Sequence, residues 1–168
     1  MSKVEFKDFS FNVKAALNDT TIAWLYEWAN EITSHAQRNC KMEDDKGKQL
    51  KGSYKNKVNE SKGEAQVGSP LESAYWEEWG TGEYAAHGDG RKGWWVFVKG
   101  QESKGGGKTY HTREEAEEAA AYLRKAKKLD AYATNGRRPN YTLEKAFKEN
   151  HQKAKADLER KLKGRMES

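Results

Sequence analysis

Apolar residues along this chain change their spacing several times, and each change predicts an element. Ile22, Leu25, Ala29, Ile32 and Ala36 recur at three- and four-residue steps with Trp24 and Trp28 beside them, which predicts one helix over about 19–39. Asp19 or Thr20 is suited to cap it, because a short side-chain oxygen can accept from an otherwise orphaned N–H. A second stripe, Ala116, Ala119, Ala120, Leu123 and Ala126, follows Thr112-Arg113-Glu114-Glu115. That tetrapeptide is a capping box, in which Thr112 and Glu115 satisfy each other's backbone donors, and it opens a helix over about 113–129. Leu143, Phe147, Ala154, Leu158 and Leu162 predict a last helix from about Tyr141 to Lys163.

Strand-like spacing lies between these stripes. Ser53–Asn59 and Glu64–Gly68 flank Ser61-Lys62-Gly63, a hairpin-sized connection, and Pro70 ends the second run. Trp94–Val98 is a continuous apolar run and the best strand in the sequence. Residues 1–18 alternate from Val4-Glu5-Phe6 to Phe11-Asn12-Val13, which suits a short strand or an arm packed on a neighbour. Residues 41–49 are charged and broken by glycine and read as a loop. Gly105-Gly106-Gly107 reads as a flexible loop and Asn135-Gly136 as a turn. Glu72–Trp79 reads as a short helical piece ended by Gly80-Thr81-Gly82. The expected fold is α+β in one domain over 1–168. A small antiparallel β-sheet packs against a long N-terminal helix and a long C-terminal helix, with an inserted helix near 113–129.

Composition limits the core these elements can build. Val, Ile and Leu total 17 of 168 residues, whereas Ala supplies 19 and Trp 6. Either a few aromatics carry the packing of an elongated domain, or association completes it; six Trp in periodic segments argue against disorder. Trp76, Trp79 and Trp95 are therefore expected to be packed. Cys40 stands alone, so no disulfide framework or cysteine metal cage is expected, and a small buried or loop Cys is the default. No apolar run approaches the roughly 20 residues of a membrane span, and no signal region is visible, so synthesis in a reducing cytosol is expected. The net charge of +5 is unevenly placed: residues 137–168 hold 10 Lys/Arg against 5 Asp/Glu, and residues 63–90 hold six acids and no base.

Catalytic constellations do not emerge from these residues. His35, His87, His111 and His151 have no zinc-enzyme spacing, and His87-Gly88-Asp89 in a glycine-rich loop reads as a solvated turn. Neither Gly80-Thr81-Gly82 nor Gly105–Lys108 completes a phosphate-binding pattern. Glu77 and Glu78 are sequential, so their carboxylates diverge instead of facing each other across a sugar, and a solvated or interface role is expected. No catalytic, cofactor-binding or metal-binding residue is assigned. The last helix mixes Lys145, Lys148, Lys155, Arg160, Lys163 and Arg165 with Glu144, Glu149, Asp157 and Glu159, more a solvated face than a DNA-binding stripe.

Three segments, in order, resemble the tailed-bacteriophage neck family of head–tail joining, tail-completion or minor tail proteins. Asp45-Lys46-Gly47-Lys48-Gln49-Leu50-Lys51-Gly52-Ser53 is similar to that family's entry into its first strand, with Lys46 where Thr is usual. Ala74-Tyr75-Trp76-Glu77-Glu78-Trp79-Gly80-Thr81-Gly82, the most specific, resembles its "YA-x-x-VEFGTG" motif. Arg138-Pro139-Asn140-Tyr141-Thr142-Leu143-Glu144-Lys145-Ala146 is similar to "RP-x-x-FL-x-x-A" before the terminal helix. The likeness spans roughly residues 20–160, with 100–130 as an insertion, and the usual "AP" before the first motif is absent.

The resemblance implies a non-enzymatic structural subunit of the virion neck or tail, synthesised in the host bacterial cytoplasm. Its implied partners are further copies in a ring, the connector or head-closure protein, and the tail terminator or tail tube protein. DNA enters only as passing genome, and no membrane is involved. Tyr75, Trp76, Glu77, Glu78, Trp79, Gly80, Thr81, Gly82, Arg137, Arg138 and Pro139 become the candidate structural or interface residues. Charge suggests that the acidic stretch 63–90, with Glu77 and Glu78, faces the basic stretch 137–168, with Arg137 and Arg138, of a neighbouring copy across a heterologous contact. Reversing the two glutamates would then weaken assembly and spare monomer stability. The alternative is that both stretches meet inside one subunit, with Glu77 or Glu78 pairing with Arg137 or Arg138. The competing reading is sequence-independent DNA binding through the basic C-terminal helix.

Overall fold

A computed structural model describes residues 19–41, 45–100 and 107–166. The arm read over 1–18 and the glycines at 105 and 106 lie outside the described residues. The elements in chain order are α1 (Asp19–Asn39), α2 (Asp45–Ser53), β1 (Lys55–Asn59), β2 (Glu64–Gly68), α3 (Glu72–Trp79), β3 (Trp95–Val98), α4 (Arg113–Lys127), β4 (Ala131–Thr134) and α5 (Thr142–Met166). The fold is α+β with long first and last helices, as expected. Its strands form two separate antiparallel pairs, β1–β2 and β3–β4. They belong to two compact units: described residues up to Glu78 together with those from Asn140, and Trp79–Pro139.

In the first unit α1 packs along α5 and across β1–β2. Its stripe buries Trp24, Leu25, Ala29, Ile32 and Ala36 against Leu50, Tyr54, Ala65, Val67, Leu143, Ala146 and Ala154. Alanines on α5 leave room for the Trp24 ring, whose Nε1 donates to the Ala154 carbonyl at 3.0 Å. That bond disposes of the indole's one polar atom inside the core. Lys55 pairs with Gly68 and Asn59 with Glu64, so one tight turn sets the β1–β2 register.

The loop read over 41–49 is corrected: α2 begins at Asp45. The two glycines inside this helix cost about 2 kcal/mol together, which is offset by the roughly 1.5–3 kcal/mol from burying a leucine, and Leu50 is fully buried. Ser53 Oγ donates back to the Leu50 carbonyl at 2.6 Å and meets Ser69 Oγ at 2.6 Å, which fixes the turn into β1.

In the second unit α4 lies across β3–β4, and β3 pairs with β4 from Trp95↔Thr134 to Val98↔Ala131. Ala116 and Ala120 are buried, whereas Ala126 is exposed and ends the apolar face earlier than the stripe predicts. Thr112 Oγ1 accepts from Glu115 N at 3.2 Å as the capping box requires. The Glu115 carboxylate reaches one residue further back, to His111 N at 3.1 Å.

A polar clip closes the α1–α5 seam. Trp28 Nε1 donates to Asp157 at 3.1 Å, Lys161 Nζ sits 2.8 Å from the same carboxylate, and Arg160 also pairs with it. The Lys161 bond, helped by Trp28 and Arg160, outweighs burial and lowers the Asp157 pKa from 3.8 to about 2. A depressed folded pKa gives stability that is present above the unfolded value and lost as pH falls through the folded one. Circular-dichroism melting should therefore fall more steeply between pH 3.8 and about 2 for the native chain than for Asp157→Asn. Equal slopes would contradict the clip.

Candidate functional site

Helix α3 ends in Tyr75-Trp76-Glu77-Glu78-Trp79, and α5 begins after Arg138-Pro139-Asn140-Tyr141. A helix leaves its last four carbonyls and first four N–H groups without intrahelical partners. In the first unit these two ends answer each other. The Glu77 and Glu78 carbonyls of α3 accept from Asn140 N at 2.9 Å and Tyr141 N at 3.3 Å. Lys145 N bonds to Tyr141 O at 2.9 Å, the first bond of α5, which makes Tyr141 its N-cap. Tyr141 has no short side-chain acceptor and holds φ at +52°, unusual for a residue with a Cβ.

Glu78 supplies the missing cap. Its Oε2 accepts from Leu143 N at 2.7 Å and its Oε1 from Glu144 N at 3.0 Å. Those are the second and third helical positions, the donors a local Ser or Asp cap would serve. The carboxylate's full negative charge also faces the positive end of the helix dipole. Hydrogen bonds to a charged group contribute about 1.5–3 kcal/mol, so this remote cap exceeds an ordinary one.

Glu77 ties in a third helix. Its Oε1 accepts from Lys41 N and from Asn140 Nδ2, both at 2.9 Å. Asn140 Nδ2 also lies 2.7 Å from the Asn39 carbonyl, at the end of α1, and 2.9 Å from Thr142 Oγ1. Tyr54 and Cys40 are buried beside this cluster. Burial first, then the neighbouring acidic groups Cys40, Glu77 and Glu78, push the Tyr54 phenol far above its ordinary range and keep it neutral.

In the second unit Gly80-Thr81-Gly82 runs alongside Asn135–Arg137. Thr81 N donates to Arg137 O at 2.8 Å, and Arg137 N reaches Thr81 Oγ1 at 3.0 Å. Glu83 N donates to Asn135 O at 2.9 Å, and the Glu83 carboxylate returns to Asn135 Nδ2 at 3.0 Å. This approach is too close for side chains: a Cβ on Gly82 would lie 2.2 Å from Asn135 O, and one on Gly136 2.1 Å from Thr81 O. Pro139 bounds the same passage, with its N 2.8 Å from a Cβ placed on Gly80.

Two expectations are corrected. Glu77 and Glu78 are 0% and 3% exposed, so they are not a solvated rim facing Arg137 and Arg138 of another copy. Polarity of sequence neighbours gave no sign that backbone amides from two other helices would enclose them. Trp76 is 42% exposed and Tyr75 41%, so Trp76 is not a packed anchor. A short helix that turns its adjacent Glu77 and Glu78 inward must turn Tyr75 and Trp76 outward. Trp79 is half-buried, its ring 4.6 Å from that of His87, and Trp95 is half-buried. Arg138 is exposed and lies over the Tyr84 ring at 5.0 Å.

Sequence reasoning missed Asn140, Thr142 and Tyr54. The available signal was the absence of a Ser, Thr, Asp or Asn directly before Thr142-Leu143, where a helix beginning with buried residues needs a donor's partner. Among the described residues no three His, Cys, Asp or Glu side chains gather as metal ligands. A groove of about 400 Å³ is lined by Asp19, Thr20, Ala23, Trp24 and Lys161. Comparison with protein-family models, with curated proteins and with solved structures finds no match.

The glycine passage separates conformational strain from crowding. Gly82 and Gly88 both hold positive φ, +62° and +73°, but nothing lies within 4 Å of a Cβ on Gly88. Gly88→Ala should cost about 1–2 kcal/mol. Gly82→Ala should cost clearly more, because backbone must also move. Chemical denaturation measures both, and equal losses would contradict the close approach.

Proposed function

We propose that this chain is a structural subunit of a tailed-phage neck, a head–tail joining or tail-completion protein that assembles as a ring. The observation that carries the reading is the mating of two sequence segments about 60 residues apart. The stretch around Glu77–Gly82 and the stretch around Arg137–Ala146 are the two most specific parts of the resemblance. Within the first unit Glu78 caps the helix opened by the second stretch, and within the second unit Thr81 bonds Arg137. A motif whose two carboxylates are buried, with both Glu78 oxygens on backbone amides and Glu77 Oε1 on Lys41 N and the Asn140 side chain, suits architecture better than turnover. Its remaining side chains, Tyr75 and Trp76, are large, exposed and adjacent, which suits a contact with a neighbouring subunit.

The proposed partners are further copies of the chain, the connector or head-closure protein on one side and the tail terminator or tail tube protein on the other. DNA binding through α5 has less support. Lys148 pairs with Glu144, Arg160 with Asp157, and Lys161 with both Glu27 and Asp157, so part of the helix's positive charge is already matched.

An amber mutation in the gene, carried by its phage, tests the proposal. In a non-suppressing host it should yield filled heads and separate tails, visible by electron microscopy and joined when the purified chain is added. Complete infectious particles without the chain would overturn it, as would a chain absent from the neck of wild-type particles.

A further inference from the structure

The β3–β4 pair has two unlike faces. Along β4, Ala131 is buried and Tyr132 is 47% exposed. Alternation therefore places Val96, Val98, Ala131 and Ala133 toward α4, and Trp95, Phe97 and Tyr132 on the opposite side. There the Phe97 and Tyr132 rings lie 5.1 Å apart and tilted by 41°. Arg91 sits over the Trp95 ring at 5.0 Å. Lys99, exposed and two residues beyond Phe97, continues the same side, next to Asp130, whose carbonyl accepts from Lys99 N at 2.7 Å.

Half of this unit's eight acidic residues lie on its other side. Glu114, Glu115, Glu117 and Glu118 all belong to α4, across the sheet from the aromatic face. Residues 79–139 hold 12 Lys/Arg against 8 Asp/Glu, a net +4 of the chain's +5. The second unit thus combines most of the positive excess with a partly solvent-facing row of aromatic rings.

We propose that the outer face of β3–β4, centred on Phe97 and Tyr132, binds single-stranded nucleic acid without sequence preference. Bases would stack on the rings while Lys99 meets phosphate and Arg91, held over Trp95 by its bonds to Thr109 Oγ1 and the Gly107 carbonyl, adds positive charge beside them, the combination that single-strand binders use. Duplex DNA offers phosphates but conceals its base faces, leaving the exposed rings idle. A second copy of the chain is a poorer occupant. Two four-residue strands make a face of about 13 by 10 Å, far below the roughly 800 Å² per partner of a stable interface. A face of that size accommodates two or three bases. The inference stands independently of the neck reading.

Fluorescence anisotropy of the full chain tests it, with a labelled 12-nucleotide oligo(dT) and a labelled 12-base-pair duplex at low salt. The single strand should bind more tightly than the duplex. Tyr132→Ala, on an exposed ring, should weaken oligo(dT) binding roughly 5- to 100-fold, and Tyr132→Phe should restore it. Lys99→Ala should reduce the salt slope by about 1, whereas Lys155→Ala on α5 should change little. Equal or tighter duplex binding, an unaffected Tyr132→Ala chain, or no binding at low salt would overturn the proposal. If Tyr132→Ala fails to fold by circular dichroism, quenching of tryptophan fluorescence by oligo(dT) in the wild type decides, and its absence overturns the proposal.

Discussion

A carboxylate carried on one helix neutralises the open end of another. Glu78 accepts from Leu143 N and Glu144 N with both oxygens, while its own backbone carbonyl takes Tyr141 N. Burying an ionised carboxylate is costly unless its lone pairs are satisfied. Here the donors are amides that the start of α5 would otherwise leave orphaned. Glu77 extends the same solution to the end of α1 through Lys41 N and Asn140. Three helix termini therefore meet at two adjacent glutamates, both turned away from solvent.

This junction accounts for other features of the first unit. Tyr141 can hold a left-handed conformation because its N–H and carbonyl are both engaged, by Glu78 and Lys145. With α5 anchored at its first turn, Leu143, Ala146 and Ala154 line up against Trp24 and the rest of the α1 stripe. Turning Glu77 and Glu78 inward obliges Tyr75 and Trp76 to face solvent, which joins the structural constraint to the proposed subunit contact. Charge at that contact would come from exposed residues such as Glu72, not from the buried pair.

Much of the fold was legible because it rests on local signals. The stripe from Ile22 to Ala36 marks α1, Thr112 marks the start of α4, and the short connection at Ser61–Gly63 marks β1–β2. What was not legible depends on residues far apart in the chain. β4, Ala-Tyr-Ala-Thr, has no strand signature of its own and becomes a strand by pairing with β3 and receiving α4. α2 has two glycines and little apolar content, and burial of Leu50 holds it. The glutamate pair was singled out as a solvated or interface feature, because its polarity suggested solvent. The partners of Glu78 lie more than 60 residues downstream as backbone N–H groups, and Glu77 takes one from 36 residues upstream, at Lys41; backbone amides leave no trace in side-chain composition.

Amide hydrogen exchange at Leu143 and Glu144 reports on the remote cap directly. In the wild-type chain both amides should be protected to nearly the same degree as interior amides of α5, although a helix's second and third N–H groups ordinarily exchange quickly. In Glu78→Gln, whose amide group cannot offer two acceptor oxygens, protection at one or both should fall while amides in the middle of α1 keep theirs. Rapid exchange of both amides in the wild type, or protection unchanged by Glu78→Gln, would contradict a fold organised around the Glu78 carboxylate.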